Sequence, residues 1–192
     1  YSNAVVLATF PNKNVWITRL GSTIVVKKFV DKPLTGSGIS NHKIFGNWLS
    51  GGASNAGGAI LLDFFNQEYI KELSKQINPY KSTGINLLPL SKKGERFPID
   101  DPNLQPKLEP RPVSDSLYLH ALLEGLAKIE ARGWQKLHEL GADLPRQIIT
   151  IGGGAKNITW KKIREREIGI PIKICTRPPA AGVASIALKA LL

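Results

Sequence analysis

The sequence has one cysteine, Cys175, and its apolar runs are all much shorter than the ~20 residues that a membrane-spanning helix needs. A single cysteine excludes a disulfide within the chain and is typical of a reducing compartment. Residues 1 to 20 lack a basic leader followed by an apolar core, which predicts no signal peptide. These absences together predict a cytoplasmic protein that does not span a membrane.

Acidic residues are also scarce: 15 Asp and Glu stand against 26 Lys and Arg, giving a formal net charge of +11. A charge this high raises nucleic acid as a partner. The lysines are scattered, however, and no alternation of aromatic and basic residues that would stack bases is visible. We interpret the charge as solvated surface, or as charge balanced by a missing part of a larger protein. A polyanion-binding domain is the remaining alternative.

Hydrophobic patterning predicts strands that alternate with helices. Two β-branched runs, Val15–Leu20 and Thr23–Val30, flank Gly21 and Ser22 and predict a β-hairpin. Further along, the pattern predicts the strands Gln147–Ile151 and Ile172–Cys175, a helix from Ile158 to about Glu167, and a closing helix Ala180–Leu192. This order predicts one α/β domain over residues 1–192, with a mixed sheet flanked by helices.

The patterns in the first 141 residues outside the hairpin are less regular. Ser2–Ala8 could end a helix, and Lys32–Lys43 is polar and predicts a loop. The remaining predicted elements are strands at Ile44–Leu49 and Ile85–Leu88, helices at Ala59–Phe65 and Glu68–Ile77, and a long helix that begins after Ser114 and ends at Gly141. The second strand lies in an irregular, proline-containing excursion over residues 79–113.

Three glycine turns are the main candidates for chemistry: Gly21–Thr23, Gly51–Gly58 and Gly152–Gly154. The last follows an apolar strand and precedes a helix that starts near Asn157. Glycine backbone lets a ligand approach closely, and a helix start offers N–H groups to an anion. None of the turns fits the phosphate-loop or dinucleotide fingerprint. They predict a nucleotide held piecewise, or alternatively three tight turns without a ligand.

Other catalytic patterns are weak. His42, His120 and His138 lack metal-ligand spacing, and we predict no metal site. Glu95 and Arg96, between Gly94 and Pro98, predict a loop locked by a salt bridge and backbone hydrogen bonds rather than a catalytic pair.

Five motifs in order resemble one known family. They are Leu20-Gly-Ser-Thr23, Gly51-Gly-Ala-Ser-Asn-Ala-Gly-Gly58, Gly94-Glu-Arg-Phe-Pro98, Gly152-Gly-Gly-Ala-Lys-Asn157 and Pro179-Ala-Ala-Gly-Val-Ala-Ser-Ile-Ala187. Over nearly the whole chain they resemble the carboxy-terminal half of the FGGY carbohydrate kinases, in the actin-like ATPase superfamily. Gly-Gly-Ala-Lys-Asn-Ile-Thr-Trp is most similar to the ribulose/xylulose kinase-like group of cyanobacteria and plants, which would make a plastid location possible.

The resemblance implies an actin-like (ribonuclease H-like) fold, ATP and Mg²⁺ as cofactors, and a site assembled from the glycine motifs. In the family's pattern the first motif holds the β- and γ-phosphates, the second approaches the phosphates and ribose, and the fourth binds adenosine, with Trp160 against the adenine. The implied ATP-binding residues are Gly21, Ser22, Thr23, Gly57, Gly58, Gly153, Gly154, Ala155, Asn157 and Trp160.

The sequence departs from the family at the catalytic base. The resemblance implies an aspartate at or just before Tyr1, yet no acid occurs until Asp31. The amino-terminal sugar-binding half and the magnesium-binding aspartate that the resemblance implies are also absent from this sequence, so either the chain was cut at the base or the base has been lost. We therefore expect the ATP-binding half of a kinase that phosphorylates a pentulose or related sugar, with no catalytic residue of its own. A nucleotide-binding regulatory module without phosphotransfer is the alternative.

Overall fold

The computed structural model describes residues 15–44 and 46–177, together with 180, 181 and 184. The strands are β1 (Trp16–Leu20), β2 (Ile24–Val30), β3 (Ile39–Ile44), β4 (Asn47–Ala53), β5 (Ile148–Ile151) and β6 (Ile172–Ile174). The helices are α1 (Ala59–Leu62), α2 (Gln67–Gln76), α3 (Asp115–Glu139) and α4 (Ile158–Ile168), and a 3₁₀ turn covers Gly153–Lys156. The predicted closing helix lies largely outside this part of the chain, and Ser2–Ala8 lies wholly outside it.

The six strands form one mixed sheet in the order β3-β4-β2-β1-β5-β6. The first four pair antiparallel, whereas β1, β5 and β6 run parallel. Strand β5 lies parallel to its neighbour β1, which requires a crossover connection, and the segment from α1 to α3 supplies it between β4 and β5. The predicted α/β domain with a mixed sheet flanked by helices is confirmed.

The main core lies between the sheet and α3. That helix buries fifteen residues along its length, because apolar side chains recur at helical spacing around more than one face. Ser114 caps it by accepting a hydrogen bond from the Leu117 N–H at 3.3 Å, and Gly141 follows its end with φ +106°. Both ends agree with the sequence-based prediction. No helix in the described ranges is long and apolar enough to cross a membrane.

The predictions for residues 32–53 were partly wrong. The polar segment that ends the predicted loop forms β3, whose exposed edge position leaves it without a clear hydrophobic pattern. The predicted strand Ile44–Leu49 is divided by a turn at Gly46, which has φ +78°. Two glycines assigned to a turn lie inside β4: a Cβ on Gly51 would come within 1.9 Å of the Val26 carbonyl oxygen, and one on Gly52 within 2.3 Å of the Phe97 ring.

Two other boundaries also differ. The helix predicted over Ala59–Phe65 ends at Leu62, where the Asp63 N–H already bonds to Ile60 O at 3.2 Å. The segment Ile85–Leu88 is not a strand, because only Leu88 pairs, with Lys107, through two backbone hydrogen bonds of 2.8 and 3.0 Å. The excursion is otherwise irregular, as its prolines predict.

Candidate nucleotide-binding cleft

A cleft of about 870 Å³ opens where the β1–β2 turn, the start of α1, α2, the 3₁₀ turn and the start of α4 meet. Ligand sites of globular proteins commonly enclose about 300–1,000 Å³, so the cleft has room for a nucleotide. Its lining includes seven residues of the predicted site: Gly21, Ser22, Gly58, Gly153, Gly154, Asn157 and Trp160. Segments that are more than 130 residues apart in sequence therefore meet at one cavity.

The β1–β2 turn forms one wall. The Gly21 N–H donates to the Thr23 carbonyl at 3.1 Å, which closes the turn and leaves the Ser22 side chain exposed. The Gly58 N–H donates to Gly21 O at 2.9 Å, and the Ala59 N–H donates to Ser22 O at 3.3 Å. The N–H groups of Gly58 and Ala59, at the start of α1, therefore hold the turn and are not free to bind an anion.

Two residues of the predicted site, Gly57 and Thr23, are not among the residues that line the cleft. A Cβ on Gly57 would come within 2.4 Å of both Ser22 O and the Thr23 Cα. Glycine is required there because two backbone segments touch, which is a packing reason rather than a contact with the cleft. Ala155, the third predicted residue outside the lining, is buried, and its N–H donates to Gly152 O at 3.2 Å.

The 3₁₀ turn that follows β5 forms a second wall, and the three glycines at its start, Gly152–Gly154, have different surroundings. Gly152 has φ +98° and packs against the Leu20 carbonyl, so it fixes the turn to β1. A Cβ on Gly154 would come within 2.6 Å of the Trp160 ring. A Cβ on Gly153 would meet no atom of the described residues within 4 Å, because that position opens into the cleft. Gly153 is thus the one of the three where no packing contact among the described residues requires a glycine.

Trp160 supports this wall from below. The side chain is 2% exposed, and its indole Nε1 has no hydrogen-bond partner within the part of the chain that the structure describes. Gly154 rests against the ring, so the indole forms a floor under the turn rather than an exposed stacking surface.

Asn157 joins two helices at the base of the cleft. Its side-chain oxygen accepts from the Trp160 N–H at 3.0 Å and so caps α4, while its Nδ2 donates to Ser74 Oγ on α2 at 2.9 Å. The Thr159 hydroxyl adds a bond to the Ser74 carbonyl at 2.9 Å. Both ends of the Asn157 amide thus have protein partners, and its main effect is to fix the distance between α2 and α4.

The sequence motifs did not reveal the wall that α2 contributes. Its members recur at helical spacing and are Gln67, Ile70, Lys71, Ser74 and Lys75. Their period marked an amphipathic helix, but nothing in the sequence indicated that one polar face would border a cavity. Leu62 and Ile158, each 52% exposed, add apolar surface that could contact a flat ring.

The cleft is positively charged. Lys71, Lys75 and Lys156 line it, and no Asp or Glu is among the described residues that do. Lys71 also contacts Glu68 at 2.8 Å on the exposed side of α2. An excess of positively charged side chains around a glycine-lined cavity favours a polyanionic ligand such as a nucleoside triphosphate.

The segment Gly94–Arg96 lies outside the cleft and has the structural character that was predicted. Hydrogen bonds hold this loop in place. Glu95 accepts from the Ser54 hydroxyl and the Asn55 N–H, and Arg96 Nε donates to Ala53 O at 2.8 Å. The two side chains do not form the expected salt bridge with each other in the described structure.

Comparisons with known proteins agree with this geometry. No family model matches the chain. Over 57 residues, 30% of this chain and 12% of the relative, the sequence is 32% identical to L-fuculokinase of Escherichia coli (strain K12). The segment is too short to decide more than a local similarity.

Solved structures match over almost all of this chain. Xylulose kinase from Bifidobacterium adolescentis has a TM-score of 0.80 at 22% identity, over 99% of this chain and 39% of that one. A kinase from Brucella ovis gives 0.81 at 20% identity, over 98% and 42%. Plasmodium falciparum glycerol kinase, solved with ADP, gives 0.79 at 12% identity, over 97% and 40%.

This chain thus spans about two-fifths of the length of these kinases. At such identities the similarity establishes the fold, whereas the activity of the longer proteins does not transfer with it. The fold that the sequence resemblance implied is confirmed: the chain has the mixed-sheet fold of these solved kinases over about two-fifths of their length.

Proposed function

We propose that the chain is the ATP-binding half of a carbohydrate kinase. The observation that carries the proposal is the convergence of Gly21, Ser22, Gly58, Gly153 and Gly154 on one cationic cleft. Each glycine motif expected to touch a nucleotide supplies at least one residue to the lining. Three unrelated tight turns would not be expected to share a cavity of nucleotide size.

The two walls suggest how a nucleotide is oriented. The Gly21–Thr23 turn holds the β- and γ-phosphates, with the Ser22 hydroxyl and Lys71, Lys75 or Lys156 as positive or hydrogen-bonding partners. Adenosine lies along the 3₁₀ turn, where Gly153 leaves room and Leu62 and Ile158 offer apolar contact. Gly57, Ala155, Asn157 and Trp160 keep these walls in position.

The open side of Gly153 supports ATP as the ligand, since it leaves space that a Cβ would fill and that a nucleotide would use. Mg²⁺ finds no ready ligand set here: no three His, Cys, Asp or Glu side chains come together within the described residues. We therefore propose that Mg²⁺ would bind together with the nucleotide's phosphates, and that residues of a missing amino-terminal half would supply its protein ligands. The metal would neutralise charge on the phosphates.

Transfer of the γ-phosphate to a sugar hydroxyl needs an acceptor site and a group to take the proton. No carboxylate among the described residues lines the cleft, so both would come from the rest of a longer protein. We propose a pentulose, ribulose or xylulose, or a related sugar as the acceptor, in keeping with the names of the xylulose, glycerol and fuculose kinases that the chain resembles. Assignment to the cyanobacterial and plant group stays a prediction.

The complete gene product provides the test. It should contain an aspartate immediately before Tyr1 and a sugar-binding half, and the purified protein should release ADP only when ribulose, xylulose or a related sugar is present. Nucleotide binding without any sugar-dependent ADP release would instead favour the regulatory-module alternative.

A further inference from the structure

Glu95 lies outside the cleft, yet it is buried at 5% exposure and is saturated with hydrogen bonds. Its Oε2 accepts from Ser54 Oγ at 2.5 Å, and its Oε1 accepts from the N–H groups of Asn55 at 2.7 Å and Arg96 at 2.9 Å. A buried carboxyl in the proline-containing excursion therefore organises residues 54 and 55, which lie about 40 positions earlier in the chain.

Two more bonds strengthen this attachment. The Asn55 Nδ2 donates to the Gly94 carbonyl at 3.0 Å, and Arg96 Nε donates to Ala53 O at 2.8 Å. Glu95 is itself fixed by a backbone pair with Asp101, with N···O distances of 2.9 and 3.0 Å. The excursion is thus rigid where it meets the segment Ser54–Gly58, which we call the support turn.

The support turn is bonded both to Ile24, the first residue of β2, and to the β1–β2 turn. The Ser54 N–H donates to Ile24 O at 2.9 Å, and the Ile24 N–H donates to Ala56 O at 2.8 Å. At its other end the Gly58 N–H donates to Gly21 O at 2.9 Å. A continuous set of hydrogen bonds therefore runs from Glu95 to the wall of the cleft.

We propose that Glu95 is a positioning residue for the nucleotide site: it holds the support turn, which holds the phosphate-facing Gly21–Thr23 turn. This rests on the proposed function in one respect only, namely that nucleotide phosphates bind that turn. Glu95 does not itself touch the ligand. Its effect arises because the Ser54 hydroxyl and the Asn55 N–H lose a buried acceptor when the side chain is removed.

Hydrogen exchange tests the structural part without any ligand. We would compare the 192-residue chain with Glu95→Gln, which keeps one side-chain oxygen, and Glu95→Ala, which removes both. Tyr118→Phe is the matched control, since it removes a hydrogen bond of 3.0 Å to Leu108 O in the same excursion but none to the support turn.

Faster exchange is expected at residues 21–24 and 54–59, about tenfold in Glu95→Ala and less in Glu95→Gln, with β5 unchanged. The control should leave both segments at the wild-type rate. Faster exchange confined to residues 54–56, or spread equally over β5, would overturn the proposal, since the first shows no transmission and the second a general loss of stability.

Calorimetry with ADP tests the functional part on the same proteins. The dissociation constant should rise about tenfold in Glu95→Ala, less in Glu95→Gln, and not in Tyr118→Phe. Equal affinity in wild type and Glu95→Ala would contradict the positioning role. If the wild-type chain bound no nucleotide, the proposed function would fail, while the exchange pattern would still decide whether Glu95 holds the turn.

Discussion

Arg164 and Glu130 form a fully buried, two-pronged ion pair in the core of the protein. Arg164 Nε donates to Glu130 Oε2 at 2.5 Å, and a terminal nitrogen donates to Oε1 at 2.8 Å. Thr18 donates to the same carboxylate at 2.5 Å, and Arg164 also donates to Thr150 Oγ1 at 3.1 Å. The pair thereby joins α3 and α4 to β1 and β5, the strands that lead into the two walls of the cleft.

Removal of one partner should therefore be costly. Arg164→Met leaves the Glu130 carboxylate buried without its cation, and we expect a loss of about 3–5 kcal/mol in the free energy of unfolding. The double variant Arg164→Met with Glu130→Leu removes both charges and should recover much of that loss. Urea unfolding of the two variants checks this, and equal destabilisation in both would contradict it.

Lys27 provides a pH-dependent prediction. Burial lowers the pKa of Lys27 from 10.5 to about 8, and its amine donates to Ser40 Oγ, at 2.6 Å. Between pH 8 and 10 the unfolded chain binds more protons than the folded one, so the stability of the wild type should rise with pH. Below pH 8 the charged amine destabilises the fold.

Lys27→Met should consequently be more stable than wild type at pH 7, by on the order of 1–3 kcal/mol, and should lose the rise above pH 8 that Lys27 causes. Lys28→Met is the neighbouring control: Lys28 is also buried, but it contacts Asp143 at 2.8 Å and lies over the Trp16 ring. Its loss should destabilise the protein. Thermal unfolding at pH 7 and 9.5 distinguishes these outcomes.

The contact of Gly57 with the β1–β2 turn predicts a packing defect. In Gly57→Ala the new methyl group would overlap Ser22 O and the Thr23 Cα, so we expect about 1–3 kcal/mol of destabilisation and weaker nucleotide binding. Gly153→Ala should leave the stability close to that of wild type. Equal unfolding temperatures for the two variants would show that the turns are not packed as described.

We also expect that the chain alone phosphorylates no sugar, because no described carboxylate reaches the cleft to accept the hydroxyl proton. An aspartate in place of Tyr1 should not restore activity without a sugar-holding half. Coupled assays for ADP with ribulose, xylulose and glycerol check this. ADP release that depends on the sugar would mean that an acceptor site lies within these 192 residues.

The sequence predicted the elements whose local signals are strong. The hairpin, the capped helix α3 and the strand–glycine–helix segment around Gly153 have patterns that do not depend on distant residues. It could not predict β3 from polar residues at a sheet edge. The sequence also did not show that Gly51 and Gly52 lie inside a strand. Glycine is needed at these positions because Val26 and Phe97, which are distant in sequence, pack against them.

The candidate site was also predictable only where local sequence patterns mark it. Short glycine motifs marked both walls, but the α2 wall with Lys71 and Lys75 depends on how helices pack across the domain. Arg164 was equally hidden, since it lies in a run of charged residues typical of a solvated surface. Only tertiary structure shows that its partner, 34 positions away, is buried beside it.

Titration calorimetry with ATP and ADP on wild type, Gly153→Val and Ser91→Val tests the central claim most directly. Gly153→Val places a branched side chain into the open cleft without meeting protein atoms near its Cβ, whereas Ser91→Val introduces the same side chain at an exposed position outside it. The account predicts weak binding by wild type and Ser91→Val, and none by Gly153→Val, with unfolding temperatures close to that of wild type. No binding by wild type at millimolar nucleotide, or undiminished binding by Gly153→Val, would contradict it.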